Sequence, residues 1–124
     1  MIRIIAGSAG GIVLRTPKGM ATRPTLNQVR ESIFNVLANI GIMDTRVLDI
    51  FAGTGAMGLE ALSRGAAKAV FIDKATLRCL RENAEKAGMI DKSSFISRDV
   101  YTALETLRGQ TFDYVFMDPP YCRG

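Results

Sequence analysis

The tetrapeptide Asp118-Pro119-Pro120-Tyr121, directly after the apolar run Tyr114-Val115-Phe116-Met117, carries the most chemical content in this chain. A carboxylate, two prolines and an aromatic ring at a strand's C-terminal tip make a compact receptor for a flat ring bearing an amino group. The carboxylate accepts a hydrogen bond from the amine. The first proline offers only its carbonyl, because it has no backbone N–H, and the tyrosine supplies a stacking surface. Tetrapeptides also recur by chance, and a strand stopped by prolines has the same sequence, so the weight of the pattern depends on the rest of the chain.

A second pattern, Gly53-Thr54-Gly55-Ala56-Met57-Gly58, is G-x-G-x-x-G placed after a strand-like run and opening a helix-like one. Glycine lets such a turn take positive φ and lets a ligand approach the backbone, and the helix N-terminus offers unpaired N–H groups. Asp73 ends the next strand, placed to accept hydrogen bonds from two ribose hydroxyls; its plain alternative is a solvated strand-end carboxylate. A dinucleotide and S-adenosylmethionine both fit these features. Three details favour the second. Asp49, inside the strand and four residues before Gly53, would bind a cationic amino-acid head group and repel a pyrophosphate. Asp99 follows a third strand, where an acceptor can read an adenine amino group. The amine receptor ends a fourth strand, so all four features sit where open α/β sheets bind ligands. Phe51, Lys74 and Val100, beside these groups, complete the expected cofactor-binding set of Asp49, Phe51, Gly53, Gly55, Gly58, Asp73, Lys74, Asp99 and Val100.

These residues need a scaffold, and the patterning supplies one. Residues 2–6 and 11–15 are short β-like runs around Gly7-Ser8-Ala9-Gly10, which predicts a hairpin. Thr16 to Pro24 reads as loop. A helix is expected from Thr25, with capping-box spacing to Gln28, one apolar face of Leu26, Val29, Ile33, Val36, Leu37 and Ile40, and an end at Gly41. Strands are expected over Val47 to Phe51, Ala69 to Ile72, Ser94 to Ser97 and Phe112 to Met117. Helices are expected over Ala56 to Arg64, Ala75 to Ala87 and Val100 to Arg108, each followed by glycine. Strand and helix alternating at this spacing argue for an α/β fold with a mainly parallel sheet and helices on both faces. The expected organisation is a basic hairpin-and-helix extension over residues 1–41 and a cofactor-binding and catalytic core over 42–124.

Composition narrows the function classes. The chain has 124 residues, 48 % of them apolar and 23 % charged, an ordinary globular balance for one domain. No apolar run approaches the roughly 20 residues a membrane span needs, and the N-terminus lacks the long apolar stretch of a secretion signal. Cys79 and Cys122 are the only cysteines, so a reducing cytoplasm fits, and with no histidine a metal site is not expected. Cys79 lies among helix residues and reads as packing; Cys122 has no evident partner. The absence of histidine also removes the usual general base. Net charge is +4, but the first thirty residues hold Arg3, Arg15, Lys18, Arg23 and Arg30 and no acid, leaving the remainder close to neutral. A basic leading segment on a neutral body suits a polyanion, nucleic acid above all; a solvated basic surface is the alternative.

The series Val47-Leu48-Asp49-Ile50-Phe51-Ala52-Gly53-Thr54-Gly55-Ala56-Met57-Gly58-Leu59-Glu60-Ala61-Leu62-Ser63-Arg64-Gly65-Ala66 resembles motif I of class I S-adenosylmethionine methyltransferases. It is most similar to the bacterial 16S ribosomal RNA guanine-N2 methyltransferase family of the D type. Arg3-Ile4-Ile5-Ala6-Gly7, Arg23-Pro24-Thr25 and Val29-Arg30-Glu31-Ser32-Ile33-Phe34-Asn35 resemble that family's leading segment, and Asp118-Pro119-Pro120-Tyr121 its catalytic motif IV. The resemblance runs from Arg3 to Tyr121. It implies a Rossmann-like fold with S-adenosylmethionine as cofactor. It also implies methyl transfer to the exocyclic N2 amine of a guanine in 16S ribosomal RNA or a small-subunit assembly intermediate, by a cytoplasmic monomer. Asp118, Pro119 and Tyr121 would be catalytic, and Arg15, Lys18, Arg23, Arg30 and Pro120 would hold the RNA. Family members continue past motif IV with further strands, so a chain ending at Gly124 is expected to be truncated and its fourth strand to be an apolar edge.

Two rivals stay open on the residues alone. Adenine and cytosine in DNA also present a ring amine, so a DNA amino-methyltransferase shares motif IV, and a truncated chain can be a non-catalytic RNA-binding fragment. A nicotinamide-dependent dehydrogenase is disfavoured by Asp49 and by the lack of a Tyr/Lys or His proton relay.

Overall fold

The computed structural model describes residues 2–16 and 24–117, with the backbone alone for 24–26. Lys18, Arg23, Asp118, Pro119, Pro120, Tyr121 and Cys122 lie outside the described residues, as does the expected loop from Pro17.

Strands β1 (Ile2–Arg3) and β2 (Val13–Leu14) form the expected antiparallel hairpin, shorter than the β-like runs. Its turn is gripped by the end of the helix α2 (Ala56–Ser63): Ser8 N donates to the Ser63 carbonyl at 2.8 Å and Ala9 N to Ser63 Oγ at 2.9 Å. Gly7 must be glycine here, because φ is +85° and a Cβ would stand 1.9 Å from the Ser63 carbonyl oxygen.

Four parallel strands follow: β3 (Arg46–Ile50), β4 (Lys68–Ile72), β5 (Ser93–Ile96) and β6 (Tyr114–Met117), in the order β5-β4-β3-β6. Their side chains alternate between two apolar layers. On one face Val47, Ala69 and Phe71 pack with Leu59 and Leu62 of α2, with Leu80 and Ala84 of α3 (Leu77–Lys86), and with Ile4 and Leu14 of the hairpin. On the other, Leu48, Ile50, Val70 and Ile72 are covered by Ala103 and Leu107 from α4 (Val100–Thr106) and the turn after it. The expected α/β architecture with helices on both faces is therefore present. The hairpin and the leading helix share their core with the sheet.

Helix α1 (Pro24–Ile40) ends as expected at Gly41, whose N–H donates to the Leu37 carbonyl. Its buried face differs in part from the expected one, sharing Leu37 with it. Arg30, Phe34 and Leu37 are buried, and Phe34 meets Phe116 of β6 with ring centroids 5.6 Å apart. Val29, Ile33, Val36 and Ile40 lie on the adjacent stripe and are 36–68 % exposed. Strand β6 pairs with β3 and has no second strand neighbour among the described residues; Val115 and Met117 are exposed on the face away from α1.

Candidate active site

The glycine loop is built by a chain that must turn sharply out of β3 and into α2. Phe51, the first residue after the strand, has φ +61°, unusual for a residue with a side chain and a local cost of about 1–3 kcal/mol. Gly53 at +58° and Gly55 at +83° complete the reversal without that cost. The third glycine serves close packing. A Cβ on Gly58 would stand 2.3 Å from the Phe71 ring, which is fully buried and stacked on Phe95. The first two glycines thus serve the turn and the third the packing of the helix behind it.

Carboxylates clamp the loop from two sides. Asp49 is buried in β3, and its Oδ2 accepts from the Gly58 N–H at 3.0 Å, tying the sheet to the first turn of α2. Asp73, directly after β4, accepts from Gly53 N at 2.8 Å, Ala75 N at 3.0 Å and Thr76 N at 3.2 Å. An ionised carboxylate offers about four acceptor positions. Three are taken by backbone amides of the loop and the turn. Asp99 caps α4, accepting from Thr102 N at 3.0 Å and Thr102 Oγ1 at 2.8 Å. The Thr102 backbone N–H, and then its hydroxyl, hold the Asp99 carboxyl below the usual carboxylate range. Lys74 is exposed beside Asp73, and Val100 opens α4 beside Asp99.

The strand ends converge. Asp49, Asp73 and Asp99 stand at the C-terminal ends of β3, β4 and β5, which are adjacent in the sheet. On the far side of β3, Ile50 is the register partner of Met117, so the chain leaves β3 toward the glycine loop beside the point where β6 ends. Asp118 is the next residue in sequence. The three strand-end aspartates are acceptors, and the turn adds backbone amides. That set fits a cofactor with ammonium, sulfonium and hydroxyl groups better than a pyrophosphate.

The expected phosphate-holding arginines behave differently from one another. Arg15 is exposed and pairs with Glu82 at 2.8 Å. Arg30 is a correction: it is 4 % exposed, and its Nη2 donates to the Arg3 carbonyl at 2.6 Å under α1. A guanidinium enclosed in this way is not available to a phosphate; it ties α1 to the hairpin. Its neighbour across the core is Glu60, fully buried in α2, which accepts from Ile5 N, Ala6 N and Arg64 Nε.

Two polar residues escape a reading of the sequence. Asn83 and Glu60 both stand at positions where the helix pattern demands an apolar residue, beside Leu80 and Ala84 in α3 and among Leu59, Ala61 and Leu62 in α2. A polar side chain at a core position is the available signal.

A family model described as conserved hypothetical protein 95 matches residues 2–124. The ribosomal RNA small subunit methyltransferase D of Escherichia coli is 42 % identical over 99 % of this chain and 62 % of its own length. The protein of the same name from Haemophilus influenzae is 37 % identical over 97 % of this chain and 64 % of its own. A solved structure of a hypothetical protein from Thermus thermophilus superposes with a TM-score of 0.85 at 34 % identity, covering 98 % of this chain and 70 % of that one. The chain thus spans under two thirds of the length of the two methyltransferases. With the glycine loop, the strand-end carboxylates and these relatives, the chain belongs to the ribosomal RNA small subunit methyltransferase D family, within the class I methyltransferases.

Proposed function

We propose that this chain belongs to an S-adenosylmethionine-dependent enzyme that methylates the exocyclic N2 amine of a guanine in 16S ribosomal RNA. The observation that carries the reading is the parallel register of β3 and β6, with Ile50 opposite Met117. It brings the start of the glycine loop alongside the strand that leads into Asp118-Pro119-Pro120-Tyr121. Methyl donor and acceptor amine need to meet within a few ångströms, and adjacent parallel strands supply that proximity.

When bound, S-adenosylmethionine supplies an electrophilic sulfonium methyl. In this reading Asp49 faces its cationic head group, Asp73 accepts from the ribose hydroxyls, and Asp99 lies toward the adenine. Phe51, Gly53, Gly55, Gly58, Lys74 and Val100 form the walls. The amine of the target base is a weak nucleophile because its lone pair is delocalised into the ring. Asp118 and the Pro119 carbonyl each accept one of its N–H groups, aiming the lone pair at the methyl and stabilising the positive charge that develops on nitrogen. No strong base is required first, because the nitrogen becomes acidic as it is alkylated. Pro120 and Tyr121 hold and stack the extruded base.

Residues 1–41 act in this scheme as the RNA-contacting extension and 42–124 as the catalytic core. Lys18, Arg23 and Arg15 carry the phosphate contacts, Arg15 exchanging Glu82 for a phosphate, so affinity falls as salt rises. The partner is small-subunit RNA or its assembly intermediate, and the site of action is the cytoplasm, as a monomer.

The test is methyl transfer from labelled donor to small-subunit RNA and to duplex DNA, with mass mapping of the modified base. N2-methylguanine in the RNA is the expected product. Methylated adenine or cytosine in DNA would overturn the substrate assignment, and RNA binding without transfer would leave only a binding module. Calorimetric titration with S-adenosylmethionine and NAD separates the cofactor classes.

A further inference from the structure

Asn83 lies in the middle of α3 with its side chain fully buried, and it makes three hydrogen bonds to two distant segments. Its Nδ2 donates to the Thr54 carbonyl, in the glycine loop, at 2.9 Å and to the Arg15 carbonyl at 2.9 Å. Its Oδ1 accepts from the Arg15 N–H at 2.7 Å. The amide therefore pairs with both backbone groups of Arg15, as a neighbouring strand would, while holding the loop with its other N–H. One helical turn earlier, Cys79 Sγ donates to the same Arg15 carbonyl at 3.2 Å. At the start of α3, Thr76 Oγ1 donates to the Gly53 carbonyl at 3.0 Å. Helix α3 thus grips the glycine loop and the root of the basic arm together, and Asn83 is the side chain that touches both.

We propose that Asn83 is a positioning residue that couples the two halves of the reaction. Cofactor seated against the loop fixes the Thr54 carbonyl, which fixes the Asn83 amide, which fixes the backbone at Arg15. The segment carrying Lys18 and Arg23 begins two residues further on. Cofactor then tightens RNA binding, and RNA tightens cofactor binding by the same factor. No other side chain of this size does the same work. Aspartate has no donors and would face two carbonyls with a charge, and leucine would leave the Arg15 N–H and the Thr54 carbonyl unpaired. The inference rests on the reading of the loop as a cofactor site.

The experiment is backbone amide exchange of the whole chain with and without S-adenosylhomocysteine, alongside calorimetry of the same ligand. In the unaltered protein, ligand should slow exchange over residues 13–16 by roughly fivefold or more, the lower end of ordinary site-to-site coupling. In Asn83→Asp and Asn83→Leu that slowing should vanish while calorimetry still registers binding. Glu85→Ala, exposed on the same helix, should keep it. Binding without slowing in the unaltered protein, or slowing that survives both substitutions, overturns the coupling and leaves the cofactor site standing. Absence of binding to the unaltered protein overturns the site and the coupling together. If neither variant folds, the unaltered protein's response decides.

Discussion

Removing the Glu60 carboxylate should detach the leading hairpin and lower the stability of the whole chain. Glu60 is fully buried, and its two oxygens receive the Ile5 N–H at 2.8 Å, the Ala6 N–H at 3.1 Å and Arg64 Nε at 2.8 Å. Arg64 in turn lies over the Phe34 ring at 5.2 Å, and Arg30, buried nearby, also feels the Glu60 charge. Hairpin, α1 and α2 therefore share one negative charge. In Glu60→Ala, two backbone donors and the Arg64 guanidinium lose their acceptor, and Arg30 loses a nearby opposite charge. Breaking a buried pair from one side costs about 3–5 kcal/mol, a large part of a domain's stability. With a urea dependence of about 2 kcal/mol per molar, the midpoint should fall by about 2 M. Glu60→Gln should fall by less, because one oxygen still accepts while the new NH₂ faces a donor. Amide exchange should speed up at Ile4, whose N–H is bonded across the hairpin to Ile12, before it does in β3 and β4. The double substitution with Arg64→Ala should lose less than the two singles added together. A Glu60→Ala midpoint within about 0.5 M of the unaltered protein would refute the argument, since surface-like losses of that size are ordinary for unpaired exposed groups.

Four further outcomes follow from the site. Gly58→Ala places a Cβ against the buried Phe71 ring and should cost about 1–3 kcal/mol in urea unfolding, with the loop's ligand affinity reduced as well. Asp73→Ala removes the acceptor for three loop and turn amides and should weaken S-adenosylmethionine binding roughly tenfold or more in calorimetry, whereas Asp73→Asn, keeping one acceptor oxygen, should weaken it less. The Asp99 carboxyl, held down by Thr102, contributes to helix α4 above its unfolded pKa near 3.8, and that contribution disappears as pH falls through the lower folded value; the Thr102 amide resonance should titrate with a midpoint under 3.8, and a midpoint at or above it would contradict the cap. Asp118→Ala should reduce the methyl-transfer rate by about 10²–10³-fold with cofactor affinity unchanged, and full retained rate would remove Asp118 from the mechanism.

How much of this is legible in the sequence depends on whether a residue's role is local. The glycine loop is, because G-x-G-x-x-G after a strand specifies a backbone path, and the path alone brings Asp49 and Asp73 to it. Strand and helix limits fall within a few residues of expectation for the same reason: glycines such as Gly65, Gly88 and Gly109 take positive φ at helix ends. The face of α1 is not legible. Its sequence offers two overlapping stripes, Val29, Ile33, Val36, Leu37 and Ile40 on one and Arg30, Phe34 and Leu37 on the other, and hydropathy alone prefers the first. The structure buries the second, arginine included. What decides is long-range: Phe34 meets Phe116 from the far end of the chain, and the Arg30 guanidinium finds the Arg3 carbonyl of the hairpin.

That same long-range logic explains why Arg30 reads as a phosphate contact in the sequence. Its charge is visible there, whereas the hairpin carbonyl that accepts from its Nη2 is not. Glu60 and Asn83 invert the error, since each has its polarity in plain view on an apolar helix face and its backbone partners 29 to 68 residues away. Glu60 and Asn83 join the leading segment to helices α2 and α3, and Arg30 ties α1 to the hairpin within that segment. A segment that only carried charge to RNA would need no such fixtures; a flexible tether would suffice, and each buried polar group would be a needless desolvation cost. Their presence at the junction, with Asn83 reaching the glycine loop itself, argues that the position of the arm relative to the cofactor loop is what the fold maintains. It also makes residues 2–16 part of the structure that holds the glycine loop rather than an appendage to it.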